Sequence, residues 1–141
     1  MRINAIIAGR GAVVTVGVGA HVRDALALLH TRRIGAVLVM DNDEIAGVLS
    51  ERDIVRGLHT VGASVVDEPV TRCMTAPVVT VTPPDSVDDA LALMTERRFR
   101  HLPVVEGGLL VGLVSIGDLV KHRIEAVERE AAELKGYIAS G

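Results

Sequence analysis

The sequence contains the same unit twice, at a constant shift of 65 positions and without a gap. The strings VVTV at 13–16 and DALAL at 24–28 recur at 78–81 and 89–93. Between 13–56 and 78–121, 17 of the 44 aligned pairs are identical. A tandem duplication constrains the fold strongly, because both repeats must adopt the same unit and bury its apolar face together.

Each repeat is predicted to contain a strand, a helix, two further strands and a last helix. The VVTV segments are β-branched, and the apolar residues of 22–29 follow the i, i+3, i+4, i+7 stripe of an amphipathic helix. Asp85 or Ser86 can cap this helix in the second repeat, whereas the first repeat has a weaker start. Two apolar segments joined by DNDE or EGG predict a hairpin. Ser50 and Ser115 end the hairpins and open the last helices.

The predicted fold class is α+β, with two β-α-β-β-α repeats packed sheet to sheet around a pseudo-two-fold axis. About 60 residues cannot cover their own apolar sheet face, so the two repeats need each other. We assign 1–68 to the first repeat with an N-terminal segment, 69–123 to the second repeat, and 124–141 to a C-terminal helical tail.

The tail continues the last helix with apolar residues spaced alternately by four and three. These residues are Val120, Ile124, Val127, Ala131, Leu134 and Ile138. Such a stripe either packs against its own module or forms a contact between two subunits. The sequence leaves both possibilities open.

Composition excludes several function classes. A net charge of -3 without a basic stripe argues against binding duplex nucleic acid, and two aromatic residues are too few for a single-strand stacking platform. No apolar run approaches the about 20 residues that span a bilayer, and no signal peptide is recognisable, so we expect a cytoplasmic protein without a membrane partner. The single Cys73 excludes an intrachain disulfide and is expected to be a small buried side chain.

Both repeats contain Ser-x-x-Asp where the last helix begins, as Ser50 with Asp53 and as Ser115 with Asp118. Ser at the N-cap with an acidic residue at N3 is close to a capping box, which stabilises a helix by about 1 kcal/mol. The same residues also suit a nucleotide, since a carboxylate accepts two ribose hydroxyls and a helix N-terminus attracts phosphate. The two interpretations are compatible.

The segments HTRRIGAVLVMDNDEIAGVLSERDIVR and TERRFRHLPVVEGGLLVGLVSIGDLVK resemble the paired cystathionine-β-synthase domains, called a CBS pair or Bateman module. The resemblance covers about residues 4–123. It implies a regulatory module, usually a homodimer, that binds an adenosine ligand and acts on a partner protein that the sequence does not identify. AMP is the foremost candidate, and ADP, ATP, NAD or S-adenosylmethionine are alternatives.

The resemblance also implies roles for individual residues. Phosphate and ribose are assigned to Ser50 with Asp53, and to Ser115 with Asp118. The base is assigned to residues after the first strand and at the start of the second, namely Thr15, Thr80, Ile34, Ala36, Val37 and Pro103.

The repeats differ at the start of the second strand. Arg100 and His101 of the second repeat stand where the first repeat has Gly35 and Ala36, and either side chain suits a phosphate. His101 is equally well a structural residue at a strand start. Arg52 has no basic counterpart and is either a phosphate ligand or a solvated charge of the first helical turn.

We find no catalytic constellation and no metal site. The chain lacks a P-loop, and its five histidines fall on different elements without metal-ligand spacing. We therefore expect a nucleotide-sensing module rather than an enzyme. The rival hypothesis is a structural or dimerisation protein, in which Ser-x-x-Asp only caps helices.

Overall fold

The computed structural model describes residues 1–140, and side chains as far as residue 138. The helices are α1 (Ile3–Ile7), α2 (Val22–Arg32), α3 (Glu51–Val61), α4 (Val70–Cys73), α5 (Val87–Arg97) and α6 (Ile116–Ser140), with a 3-10 turn at Ala63–Asp67. The strands are β1 (Thr15–Gly17), β2 (Ala36–Asp41), β3 (Glu44–Ser50), β4 (His101–Glu106) and β5 (Leu109–Ser115). The mixed α+β class and the two-repeat organisation predicted from the sequence are confirmed.

The two repeats differ in their sheets. In the first repeat β1 runs parallel to β2, and β2 pairs antiparallel with β3. In the second repeat the sheet contains only β4 and β5. The strand predicted at 78–81 is therefore wrong, because only a single parallel bridge from Val81 to Val104 forms there. Pro77 and Pro83 flank this segment, and proline has no N–H group with which to extend a ladder.

The helix ends follow the sequence signals closely. Ser86, rather than Asp85, is the N-cap of α5, and its Oγ accepts a hydrogen bond from the Asp89 N–H at 3.0 Å. Both α2 and α5 end at the first arginine of an Arg-Arg pair. The second arginine, Arg33 or Arg98, adopts the left-handed conformation that closes a helix.

The chain forms two compact units that do not follow the sequence order of the repeats. The first-repeat unit comprises 11–79 and 109–111, and the second-repeat unit comprises 1–10, 80–108 and the chain from 112 onwards. The N-terminal segment therefore packs with the second repeat, where the Ile3 and Asn4 N–H groups donate to the carbonyls of Asp85 and Pro83. The boundary predicted at residue 68 divides the two copies of the duplicated sequence, and it stays a prediction.

Each unit has its own apolar core, and burial of this surface drives folding. In the first-repeat unit the buried cluster is Val16, Val22, Ala25, Leu29, Val37, Val39, Leu49, Ile54 and Val70. In the second-repeat unit the buried residues include Ile3, Ile6, Val87, Ala90, Met94, Leu102, Val104, Val114 and Leu119. Ile54 of α3 and Leu119 of α6, each directly after a motif aspartate, are buried in these cores. Their burial holds both Ser-x-x-Asp motifs in place.

Helix α6 runs unbroken from the motif into the C-terminal tail, as the sequence predicted. Its apolar stripe is open to solvent: Ile124 is 52% exposed, Leu134 62% and Ile138 75%. Throughout residues 1–140, no helix combines the length and the apolarity that crossing a bilayer requires.

Candidate functional site

The first Ser-x-x-Asp motif forms a complete capping box at the start of α3. Ser50 is the N-cap in an extended conformation, and its Oγ accepts a hydrogen bond from the Asp53 N–H at 3.3 Å. In return, Asp53 Oδ2 accepts from the Ser50 N–H at 2.9 Å and from Ser50 Oγ at 3.0 Å. The capping role predicted for this motif is therefore present.

The other oxygen of Asp53 is also occupied. Its Oδ1 accepts from Thr75 Oγ1 at 2.9 Å and from Arg56 Nη1 at 3.2 Å. The side chain is only 3% exposed, whereas that of Arg56 is 69% exposed. A buried carboxylate is tolerated only with such partners, so Asp53 is part of the unit's internal structure as well as of the motif.

The second motif has the same cap and a more open carboxylate. Ser115 Oγ accepts from the Asp118 N–H at 3.0 Å, and Asp118 Oδ2 accepts from the Ser115 N–H at 2.9 Å. The Asp118 side chain is 28% exposed. This exposure makes Asp118 the more accessible of the two carboxylates.

Both terminal nitrogens of the Arg10 guanidinium contact the Asp118 carboxylate. Arg10 Nη2 is 2.9 Å from Asp118 Oδ1, and Nη1 donates to Asp118 Oδ2 at 3.1 Å and to the Leu113 carbonyl at 3.3 Å. Burial alone raises the pKa of the Asp118 carboxyl, but the hydrogen bonds and charge of Arg10 and the hydrogen bonds of Ser115 outweigh it and lower that pKa. Asp118 is accordingly a carboxylate at neutral pH.

Arg10 and Thr75 occupy equivalent positions of the duplication, since they are separated by the repeat shift of 65. Each contacts the aspartate of the motif in its own compact unit. Neither residue stands out in the sequence, because the identical pairs of the duplication begin at residue 13 and Arg10 and Thr75 are not identical. The repeat shift of 65 positions is the one sequence feature that relates Arg10 to Thr75.

The structure brings the start of β2 beside the first motif. Ala36 pairs with Ser50 across the sheet, and the Gly35 carbonyl accepts the Glu51 N–H at 3.0 Å. Thr15 is exposed on β1, in register with Leu38. These contacts place Thr15, Ala36 and Ser50 on three neighbouring strands.

The ligand candidates of the first repeat range from buried to exposed, and Ala36 is only 5% exposed. Val37 is fully buried in the core, and Ile34 is half-buried. Arg52 is exposed in the first turn of α3. Their assignment to a ligand stays a prediction.

The second repeat repeats this arrangement with different side chains. The Arg100 carbonyl accepts the Ile116 N–H at 2.8 Å, which fixes Arg100 at the start of α6 with its side chain exposed. His101 is half-buried at the start of β4. Pro103 is buried, and its carbonyl accepts the Val81 N–H at 3.0 Å, next to the exposed Thr80.

Cys73 is half-buried against the core of the first-repeat unit. Burial raises the pKa of its thiol, and the charges of Asp53 and Glu68 raise it further. The thiol is therefore protonated at neutral pH and is a poor nucleophile. Among residues 1–140, no group of three His, Cys, Asp or Glu side chains is placed to hold a metal ion.

Comparison with known proteins gives a consistent result. A family model described as CBS domain matches residues 10–60 and 70–125. The mitochondrial CBS domain-containing protein CBSX3 of Arabidopsis thaliana is 35% identical over 125 residues, which cover 85% of this chain and 61% of CBSX3. This chain therefore matches less than two thirds of that relative.

Two solved structures are similar along most of their length. A signal-transduction protein with CBS domains from Burkholderia ambifaria is 43% identical, with a TM-score of 0.82, covering 89% of this chain and 95% of that one. CBSX2, solved in complex with AMP, is 27% identical, with a TM-score of 0.71, covering 89% of this chain and 97% of that one.

Proposed function

This chain belongs to the CBS domain family, and we propose that it is a regulatory module that binds an adenosine nucleotide at its Ser-x-x-Asp motifs. AMP is the first candidate ligand, since CBSX2 was solved with AMP. The module reports its occupancy to a partner protein and performs no catalysis of its own. We also propose the cytoplasmic location that the sequence leads us to expect.

The observation that carries this proposal is the partly exposed pair of Asp118 and Arg10 beside Ser115. Here a carboxylate that suits a ribose diol lies next to a guanidinium that suits a phosphate. The exposed fractions of 28% and 43% leave both groups within reach of a ligand. Arg100 and His101, at the adjacent strand start, add two further groups with affinity for phosphate.

We expect AMP to stabilise the fold. A ligand that binds only the native state contributes about 2.7 kcal/mol at about one hundred times its Kd, which raises the melting temperature by several degrees. Thermal unfolding with a series of AMP concentrations measures this effect. Cytidine monophosphate is the matched control, because it has the same ribose phosphate without adenine. Unmoved melting curves with AMP, ADP, ATP, NAD and S-adenosylmethionine would refute the proposal.

A structural module without a ligand is the second candidate function. It is favoured by the four donors that already surround the Asp53 carboxylate within its own unit. The substitution Asp118→Asn separates the two candidates, because asparagine keeps an oxygen for the cap but loses the charge that a ribose diol needs. Weaker AMP binding with nearly unchanged stability of the free protein supports the sensor. Unchanged AMP affinity would leave Asp118 as a helix cap only, whereas the structural module requires that the wild-type protein binds no AMP.

We also propose that the module acts as a homodimer with α6 at the interface. The apolar stripe of the helix is solvent-exposed within one chain, where Ile124, Val127 and Leu134 are each about half exposed or more. Exposed apolar stripes of this kind are typical of association surfaces. The stripe also keeps the alternating four-three spacing of helix pairs.

Truncation after Arg123 should convert the dimer to a monomer, since it removes most of the apolar stripe. Sedimentation velocity measures the change in mass. The double substitution Ile124→Lys with Val127→Lys is the matched variant, because it keeps the length of the helix. A dimer that survives both changes would assign α6 to a role inside the chain.

A further inference from the structure

The residue that contacts the motif aspartate differs in charge between the two repeats. At Asp118 it is Arg10, whose guanidinium reaches both carboxylate oxygens at 2.9 and 3.1 Å. At Asp53 it is Thr75, whose hydroxyl donates one hydrogen bond of 2.9 Å. The duplication therefore places a cation in one motif and a neutral hydroxyl at the equivalent position of the other.

A ribose diol needs the same carboxylate oxygens that Arg10 holds. A ligand entering at Asp118 must displace the guanidinium from at least one oxygen, and charge-assisted hydrogen bonds are the strongest of those involved. A ligand at Asp53 displaces Thr75 and Arg56 from Oδ1, but Arg56 contacts that one oxygen alone, at 3.2 Å, and its side chain is 69% exposed. A ligand must therefore replace stronger contacts at Asp118 than at Asp53.

We propose that Arg10 is a specificity-determining residue that makes the Ser115–Asp118 motif selective for adenosine ligands carrying phosphate over the uncharged nucleoside. This inference rests on the proposed nucleotide-binding function. Phosphate offers the displaced guanidinium a new anionic partner, and the fork of five N–H donors matches its oxygens. Adenosine offers no such partner, so the displaced guanidinium exchanges its carboxylate contact for water and gains no second anion. At the Ser50–Asp53 motif the Arg56 guanidinium contacts only one carboxylate oxygen, so we expect weaker selection for phosphate there.

The backbone around Arg10 suits a change of partner. Gly9 precedes it in the left-handed conformation at φ 77°, Gly11 follows it, and a Cβ at either glycine would meet no atom within 4 Å. The residue lies in irregular chain between α1 and β1, and its side chain is 43% exposed. No regular ladder therefore holds this segment, although the Arg10 N–H donates to the Ile7 carbonyl at 3.2 Å and the guanidinium to the Leu113 carbonyl at 3.3 Å.

The test exchanges Arg10 for the residue of the other repeat. Wild-type protein, Arg10→Thr and Arg10→Lys are titrated with AMP and with adenosine, and binding is followed at each motif through the backbone amide NMR signals of Ser115 and Asp118 and of Ser50 and Asp53. In the wild type we expect AMP to bind the Ser115–Asp118 motif about tenfold or more tightly than adenosine. Arg10→Thr should reduce this ratio to near that of the Ser50–Asp53 motif, and Arg10→Lys should keep an intermediate ratio.

A second readout needs no ligand. The carboxyl carbon signal of Asp118 reports its titration, and Arg10→Thr should raise the pKa of this carboxyl because a cation and its hydrogen bonds are lost. This signal identifies the Arg10–Asp118 contact in solution independently of any effect on affinity.

The outcomes separate this inference from the proposed function. If AMP binds the wild type and Arg10→Thr leaves the ratio of AMP to adenosine affinity at Ser115–Asp118 unchanged, Arg10 is not the specificity determinant and the sensor function stands. If AMP, adenosine, ADP, ATP, NAD and S-adenosylmethionine all leave the signals of both motifs unshifted in the wild type, the proposed function fails, and the inference fails with it. Because Arg10 is a surface residue, we expect all three proteins to fold, which thermal unfolding verifies.

Discussion

Replacing Asp53 with alanine should lower the free energy of unfolding by about 3 kcal/mol, the combined loss of a helix cap and of the acceptor for buried donors. The carboxylate is 3% exposed and accepts from the Ser50 N–H, Ser50 Oγ, Thr75 and Arg56. Alanine leaves these donors without their acceptor and removes the capping box of α3 together with the contact to Thr75. Urea denaturation measures the loss.

Asp118→Ala is the matched control in the second repeat. It removes the equivalent capping box, but its carboxylate and the Arg10 guanidinium are both open to water, which replaces the lost hydrogen bonds. We expect a loss of about 1 kcal/mol, the usual value of a helix cap. Equal losses at Asp53 and Asp118 would mean that the burial of Asp53 has no energetic consequence, and the asymmetry between the motifs would be refuted.

Because Asp53 is buried and Asp118 is partly exposed, replacing aspartate with asparagine does not test the same property at the two positions. From the sequence alone, Asp53→Asn and Asp118→Asn are equivalent probes of ligand binding at constant stability. An asparagine amide would turn one donor toward Arg56 or Ser50 at position 53, and toward Arg10 or Ser115 at position 118. Only Asp118 comes close to that condition, because it and Arg10 are open to water, whereas the side chain at position 53 is 3% exposed. Ligand-binding experiments on Asp53 variants therefore need a stability measurement beside each titration.

The elements that follow local patterns could be predicted from the sequence. The apolar stripes of α2 and α5 and the serines that cap α3 and α6 depend on residues within a few positions of each other. The prediction of a strand at 78–81 was wrong. A β-branched segment forms a strand only where a neighbouring strand can pair with it, and the flanking prolines reduce this pairing to one bridge.

The contacts that distinguish the two motifs could not be predicted in the same way. Arg10 and Asp118 are 108 positions apart, and no pattern within either repeat states that the N-terminal segment packs with the second repeat. The duplication did contain the information in a weaker form, because Thr75 follows the first repeat at the same offset. Long-range packing, rather than propensity, decides which aspartate each of these residues meets.

Gly47→Ala should destabilise the first-repeat unit by about 2 kcal/mol, within the range typical of overpacking a filled site. An added Cβ would lie 2.6 Å from Met74 Sδ and 2.9 Å from the backbone carbonyl oxygen of Thr75, so the chain at 74–75 must move. That chain pairs with Val48 through two backbone hydrogen bonds and presents the Thr75 hydroxyl to Asp53. The substitution should therefore weaken AMP binding at Ser50–Asp53 and leave the Ser115–Asp118 motif unaffected.

Two glycine controls test this reasoning. At Gly112, the equivalent position, an added Cβ meets only side-chain atoms of Ile7, the nearest at 2.8 Å, so Gly112→Ala should cost less than Gly47→Ala because a side chain adjusts more easily than backbone. At Gly17 it meets no atom within 4 Å, so Gly17→Ala should leave stability nearly unchanged. Thermal and urea unfolding of the three variants give the order of the losses. If Gly112→Ala costs as much as Gly47→Ala, contact with the Thr75 backbone is not what makes Gly47 sensitive, and the coupling of that backbone to Asp53 would lose its support.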